Sequence, residues 1–191
     1  VPYATNLDAH AIGLYPETRA ALEAEGIEAE YIDLTGKPTA YHELLLRTWE
    51  EGRGWINVEH DIVPWPGALR LLWDCSCDWG GYAYSLGNAY ASYLGCTKFS
   101  DALVQAHPDA VRRIDGLKPD GTAPRYWGRL DTRLKQVLED QLGLVMHLHW
   151  PAVGHMNPDK KPGYWHCRCG ARIPTETIMS GPGPYLCPAC Q

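Results

Sequence analysis

The chain has 191 residues, 45% hydrophobic and 21% charged, the composition of a globular domain with room for a small appendage and not of a disordered chain. A formal net charge of −6 excludes a whole-chain basic surface that grips nucleic acid by charge, although residues 157–191 carry Lys160, Lys161, Arg168 and Arg172 against only Asp159 and Glu176. No apolar run approaches ~18 residues and no charged start leads into an apolar stretch, so neither a membrane span nor a secretory leader is expected and the expected location is cytoplasmic.

In chain order, residues 1–5 read as the end of a strand. Residues 16–25 read as a helix, with Pro16 in its first turn and Gly26 stopping it. Residues 27–34 alternate apolar and polar side chains, a strand pattern. Residues 39–51 form an amphipathic helix with Leu44, Leu45, Thr48 and Trp49 on one side, ended by Gly52. Residues 55–58 are a short buried strand. This order predicts a mixed, mainly parallel α/β sheet flanked by helices. A short helix over 66–73 follows, then Gly- and Tyr-rich strands with loops over 79–93. Ser100 is placed to cap a helix over 101–106. Residues 127–142 are the longest helix candidate, with Leu130, Leu134, Leu138 and Leu142 at i, i+4 spacing, and residues 144–150 read as a late strand. The breaker-rich stretch 157–163 reads as a linker, dividing a body over 1–156 from a tail over 164–191.

Chemistry concentrates where the third strand stops. Residues Glu59, His60 and Asp61 follow it directly, and in open α/β sheets ligands bind at the carboxyl ends of strands. Two carboxylates two residues apart on extended chain point the same way and suit Mn²⁺ or Mg²⁺, ions that bridge nucleotide phosphates. A late block, His147-Leu148-His149-Trp150-Pro151-Ala152-Val153-Gly154-His155, adds three imidazoles, with His147 and His149 on one face of a strand. These also admit the reading of a zinc hydrolase, or of plain structural histidines.

The strand–helix–strand–helix–strand start, followed by Glu59-His60-Asp61-Ile62-Val63-Pro64 and later by Leu94-Gly95-Cys96-Thr97-Lys98-Phe99-Ser100, resembles the small phage-type glycosyltransferases of the GT-A fold. The resemblance covers roughly residues 1–156. It implies a nucleotide-diphosphate-sugar donor such as a UDP-sugar, with Pro2, Tyr3, Ala4 and Thr5 at the nucleotide and a metal on Glu59 and Asp61, beside His60. It also implies a late histidine, His149 or His155, in the metal shell. The acceptor it points to is a hydroxymethylated base in DNA, inside a bacterial or phage-infected cell. Inverting transfer needs a base that deprotonates the acceptor hydroxyl; in inverting relatives that carboxylate stands near the start of a helix, so the resemblance makes Asp131 the candidate, with Asp101 second. Lys98, Arg125 and Arg129 are candidates for neutralising the departing diphosphate. The eight Trp and eleven Tyr against one Phe suit walls that touch sugars or bases, and Trp79, Tyr82 and Tyr84 are either such a wall or core.

Four of the seven cysteines, Cys167, Cys169, Cys187 and Cys190, lie in the last 25 residues as C-x-C and C-x-x-C, a pattern for structural Zn²⁺ in a zinc ribbon. His166 is an alternative to Cys167 as a ligand. Too few aliphatics surround them for a core, so the metal would supply the folding energy. Cys75, Cys77 and Cys96 read as small buried hydrophobes, since a metal site built on those three lacks a fourth ligand. No phosphate loop G-x-x-x-x-G-K-[ST], no G-x-S-x-G and no early G-x-G-x-x-G is present. The rival to an enzyme is a non-catalytic nucleic-acid-binding or scaffold protein in which the ribbon is the working part.

Overall fold

The computed structural model describes residues 3–6, 14–27, 29–34, 37–86, 89–118, 121–156, 164–166 and 172–174. Strand β1 (Tyr3–Asn6) is followed by helix α1 (Pro16–Ala24), strand β2 (Ala29–Ile32), helix α2 (Ala40–Glu50) and strand β3 (Trp55–Glu59). Pro16 sits in the first turn of α1, where a missing N–H costs nothing, and Thr18, Ala21 and Leu22 bury one stripe. Gly26 and Gly52, both at positive φ, follow α1 and α2 and let the chain turn back. On α2 the buried side chains are His42, Leu44, Leu45, Thr48 and Trp49, the stripe expected from the sequence with His42 added.

The second half brings β4 (Ile62–Val63), α3 (Ala68–Asp74), β5 (Trp79–Leu86), β6 (Ala89–Ala91), β7 (Cys96–Phe99), α4 (Asp101–Ala106), α5 (Leu130–Gln136) and β8 (His147–His155). Ser100 caps α4 as its sequence position predicted, accepting the Leu103 N–H at 3.0 Å. The stretch expected as one helix over 127–142 is divided. A 3-10 turn (Trp127–Arg129) leads into α5, which widens into a π segment (Val137–Gln141) where the Leu142 N–H reaches back to the Val137 carbonyl. Val137 and Leu138 are buried within the widened turn.

The main sheet runs β2-β1-β3-β7-β5-β8-β4, with β6 paired to β5. Strands β1, β2 and β3 are parallel neighbours, as are β5 and β8. The pairs β3–β7, β5–β7, β5–β6 and β4–β8 are antiparallel. The architecture is therefore mixed α/β, and the expectation of a mainly parallel sheet fails because β7 enters the middle of the sheet reversed. Along β3 the side chains alternate between two cores. Ile56 and Val58 join Leu22, Leu69, Tyr82 and Val153 on one face. Trp55 joins Trp49, Phe99, Leu130, Leu134 and Leu138 on the other. There Trp49, Trp55 and Phe99 meet with ring centroids 4.8–5.4 Å apart.

Strand β8 runs past the expected end at 150 to His155, and two extra residues are accommodated where its pairing with β5 passes from Tyr82↔His149 to Tyr84↔Val153. In the tail, β9 (Tyr164–His166) and β10 (Arg172–Pro174) form an antiparallel pair. Cys167, Cys169, Cys187 and Cys190, and the linker 157–163, lie outside the described residues. Among the described residues no helix is long and apolar enough to cross a membrane.

Candidate functional site

Glu59 is the last residue of β3, and its register partner on the parallel strand β1 is Asn6, so the carboxyl ends of both strands lie at one rim. The Glu59 N–H donates to the Gly95 carbonyl at 2.8 Å, and Val58 pairs with Cys96. The stretches 59–64 and 94–100, far apart in sequence, are thereby stitched together. Tyr41 on α2 donates its hydroxyl to Glu59 Oε1 at 2.8 Å and accepts from Asn57 Nδ2 at 3.0 Å.

Asp61 stands in the turn between β3 and β4. His155, from the end of β8, places Nε2 3.0 Å from Asp61 Oδ2, and the two side chains are only 16% and 14% exposed. The Asp61 carbonyl accepts the Met156 N–H at 2.8 Å, so both ends of that contact are tied by backbone. His60 Nδ1 lies 4.0 Å from Asp61 Oδ1, and the His60 ring faces Tyr15.

The carboxylates share one electrostatic field. Removal from water first, then the charge of Asp61, push Glu59 up to about 8, with Asp131 adding to the rise and the Tyr41 hydrogen bond opposing it. Burial raises Asp131 as well, against hydrogen bonds from Thr132. Tyr84 is raised by its burial and then by Glu59, Asp131 and Asp61 together. Asp131 also borders a shallow surface recess with Trp79, Tyr93, Leu134 and Lys135.

Other sequence candidates fall elsewhere. Asp101 accepts the Gly54 N–H at 2.8 Å, at the opposite end of β3 from Glu59. Lys98 is buried and donates to the carbonyls of Trp73, at 2.9 Å, and Cys75, at the end of α3. Arg125 makes a two-pronged contact with Asp115 at 2.7 and 3.0 Å, while Arg129 acts electrostatically on Asp131. Trp79, Tyr82 and Tyr84 are core residues, each at most 5% exposed. Tyr3, Ala4 and Thr5 lie in β1, and Pro2 lies outside the described residues.

His149 does not reach the acidic group. It pairs with Cys77 instead, Nε2 to Sγ 3.8 Å, beside His147 and Cys75, whose Nδ1 and Sγ are 3.4 Å apart. Cys96 is buried among apolar side chains as expected, but Cys75 and Cys77 are half-exposed and face these imidazoles. Burial pushes the Cys77 thiol up to about 12 and, with His147 and Lys98, holds His149 down at about 4. Two x-spaced ligand pairs, C-x-C and H-x-H, were the sequence signal for this cluster.

Fold and site thus define a mixed α/β protein with an acidic group at the carboxyl rim of its sheet. No family model and no curated protein matches the chain. Among solved structures, A197 from STIV is similar over 97% of this chain and 96% of that one, with 10% identity and a TM-score of 0.54, a likeness of fold alone. A glycosyltransferase involved in the glycosylation of the major capsid of PBCV-1 aligns over 78% of this chain and 82% of that one, with 13% identity and a TM-score of 0.45.

Proposed function

We propose that the chain is a metal-dependent glycosyltransferase, moving a sugar from a nucleotide-diphosphate sugar to an acceptor hydroxyl. One observation carries this reading: Glu59 and Asp61 stand at the carboxyl rim of β1 and β3, with His155 on Asp61 and the charge of Asp131 felt at Glu59. Like charges held out of water favour a divalent cation, and carboxylate oxygens with an imidazole suit Mn²⁺ or Mg²⁺. Glu59 and Asp61 would hold it, with His155 beside Asp61. Bound there, the ion would offset the charge that gathers on the leaving diphosphate.

The chain's own groups do the rest. By the glycosyltransferase resemblance, Pro2, Tyr3, Ala4 and Thr5, on the way to the carboxyl end of β1, take the donor nucleotide. Asp131, made more basic by burial, accepts the proton of the acceptor hydroxyl. The resemblance carried by residues 59–64 and 94–100 selects sugar transfer among the reactions open to such a site, and the contact between Glu59 and Gly95 makes those stretches one unit. The same resemblance makes a hydroxymethylated base in DNA the acceptor class, with the basic tail as its holding surface and the ribbon's zinc bracing that tail.

The test is donor hydrolysis and transfer with a panel of nucleotide sugars and Mn²⁺. Asp61→Ala abolishes both, and Asp131→Asn lowers kcat by about 10²–10⁴-fold while donor binding persists. Full activity of Asp61→Ala overturns the metal assignment. Absence of thermal stabilisation by any nucleotide sugar with Mn²⁺ overturns the enzyme reading.

A further inference from the structure

A second cluster stands apart from the acidic rim. Cys75 and Cys77 follow α3 on the way into β5, and His147 and His149 open β8. The parallel pairing of β5 with β8 sets Gly80 opposite His147 and Tyr82 opposite His149, which brings the two x-spaced pairs together across some seventy residues of chain. One ligand atom from each of the four residues lies within 4.8 Å of all the others.

Two of the six separations match a tetrahedral centre, and the rest lie within 4.8 Å, a short inward shift from one. With Zn–S of about 2.3 Å and Zn–N of about 2.0 Å, a tetrahedron has edges of about 3.3–3.8 Å. Two of its four sulfur–nitrogen edges, Cys75 Sγ to His147 Nδ1 and Cys77 Sγ to His149 Nε2, are 3.4 and 3.8 Å in the structure. The His147 and His149 rings lie with centroids 4.5 Å apart, and each turns one nitrogen toward a cysteine sulfur.

The surroundings keep space for this arrangement. A methyl group at Gly80 would stand 2.6 Å from Cys77 Sγ and 3.2 Å from His149 Nε2, so only glycine leaves the cluster intact. Lys98, anchored on the Trp73 and Cys75 carbonyls, fixes the chain just ahead of Cys77.

We propose that Cys75, Cys77, His147 and His149 form a structural Zn²⁺ site, closed by four protein ligands, that clamps the start of β8 to the loop between α3 and β5. Two thiolates balance the charge of the ion, and soft sulfur with imidazole selects zinc over Mg²⁺ or Mn²⁺. Four protein ligands leave no open position for water, so the site braces and does not catalyse. It is independent of the acidic rim and of any zinc held by the tail.

The decisive measurement is anomalous diffraction at the zinc edge from crystals of the full chain grown with equimolar zinc. A peak about 2.0–2.3 Å from all four ligand atoms is expected. In solution, the double variant Cys77→Ser, His149→Ala loses one equivalent of bound zinc relative to the parent, whereas Cys187→Ser leaves the peak between the four residues in place. An empty site, a Cys75–Cys77 disulfide in those crystals, or an undiminished zinc content in the double variant overturns the proposal. Because the diffraction experiment uses the unaltered chain, misfolding of a variant does not protect the idea.

Discussion

Tyr41 on α2 holds the carboxylate of Glu59 at the end of β3, its hydroxyl donating to Oε1 at 2.8 Å. The bond joins α2 to the end of β3 and favours the charged form of a carboxyl group that burial and Asp61 otherwise keep protonated. Tyr41→Phe therefore weakens Mn²⁺ binding about five-fold, the equivalent of ~1 kcal/mol for one lost hydrogen bond, with the fold retained. Calorimetric titration of the variant reads this directly, and an unchanged affinity would separate Tyr41 from the proposed metal site.

His42 gives a pH signature. It is buried on α2, and desolvation first, then the charge of Arg125, lower its affinity for a proton, with Asp115 and Glu43 opposing. The folded state thus binds fewer protons than the unfolded state. The contribution of neutral His42 is fully present above the unfolded value of about 6.5 and erodes as pH falls below it, until the folded value is reached. The slope from this residue is at most ~1.4 kcal/mol per pH unit. His42→Leu flattens the fall in stability between pH 7 and 5, measured as denaturation midpoints. Equal slopes in both proteins would contradict the assignment.

Gly54 and Gly116 form a matched pair. A Cβ at Gly54 would sit 2.7 Å from both the Asp101 nitrogen and the Phe99 carbonyl, backbone atoms that cannot turn aside, whereas at Gly116 nothing lies within 4 Å. Gly54→Ala costs about 1–3 kcal/mol through overpacking. Gly116→Ala changes stability by no more than about 0.5 kcal/mol. Urea unfolding of the two variants side by side checks the contrast, and equal stabilities would show that the β3–α4 junction has slack.

The opening β-α-β-α-β order was legible because its signals are local: Pro16 starts a helix, Gly26 and Gly52 stop helices, and Leu44, Leu45, Thr48 and Trp49 repeat at helical spacing. Strand direction was not legible. The reversed β7 and the two-residue β4 are set by pairing partners remote in sequence, and periodicity carries no information on direction. The leucine repeat over 130–142 predicted burial correctly for Leu130, Leu134 and Leu138 but could not register the widened turn at Val137. The same blindness hid the Cys/His cluster. Both halves stood in the sequence, and only the β5–β8 register joins them.

That reversed strand has a consequence for the rim. A strand running with its neighbours delivers one chain exit to a given edge of a sheet, while one running against them delivers a chain entry. Where β3 departs, β7 arrives, so the segment around Gly95 is a second, inbound wall of the same ledge. Reshaping that inbound segment, at Ser92 to Leu94, offers a way to alter what rests on the ledge without touching a single acid.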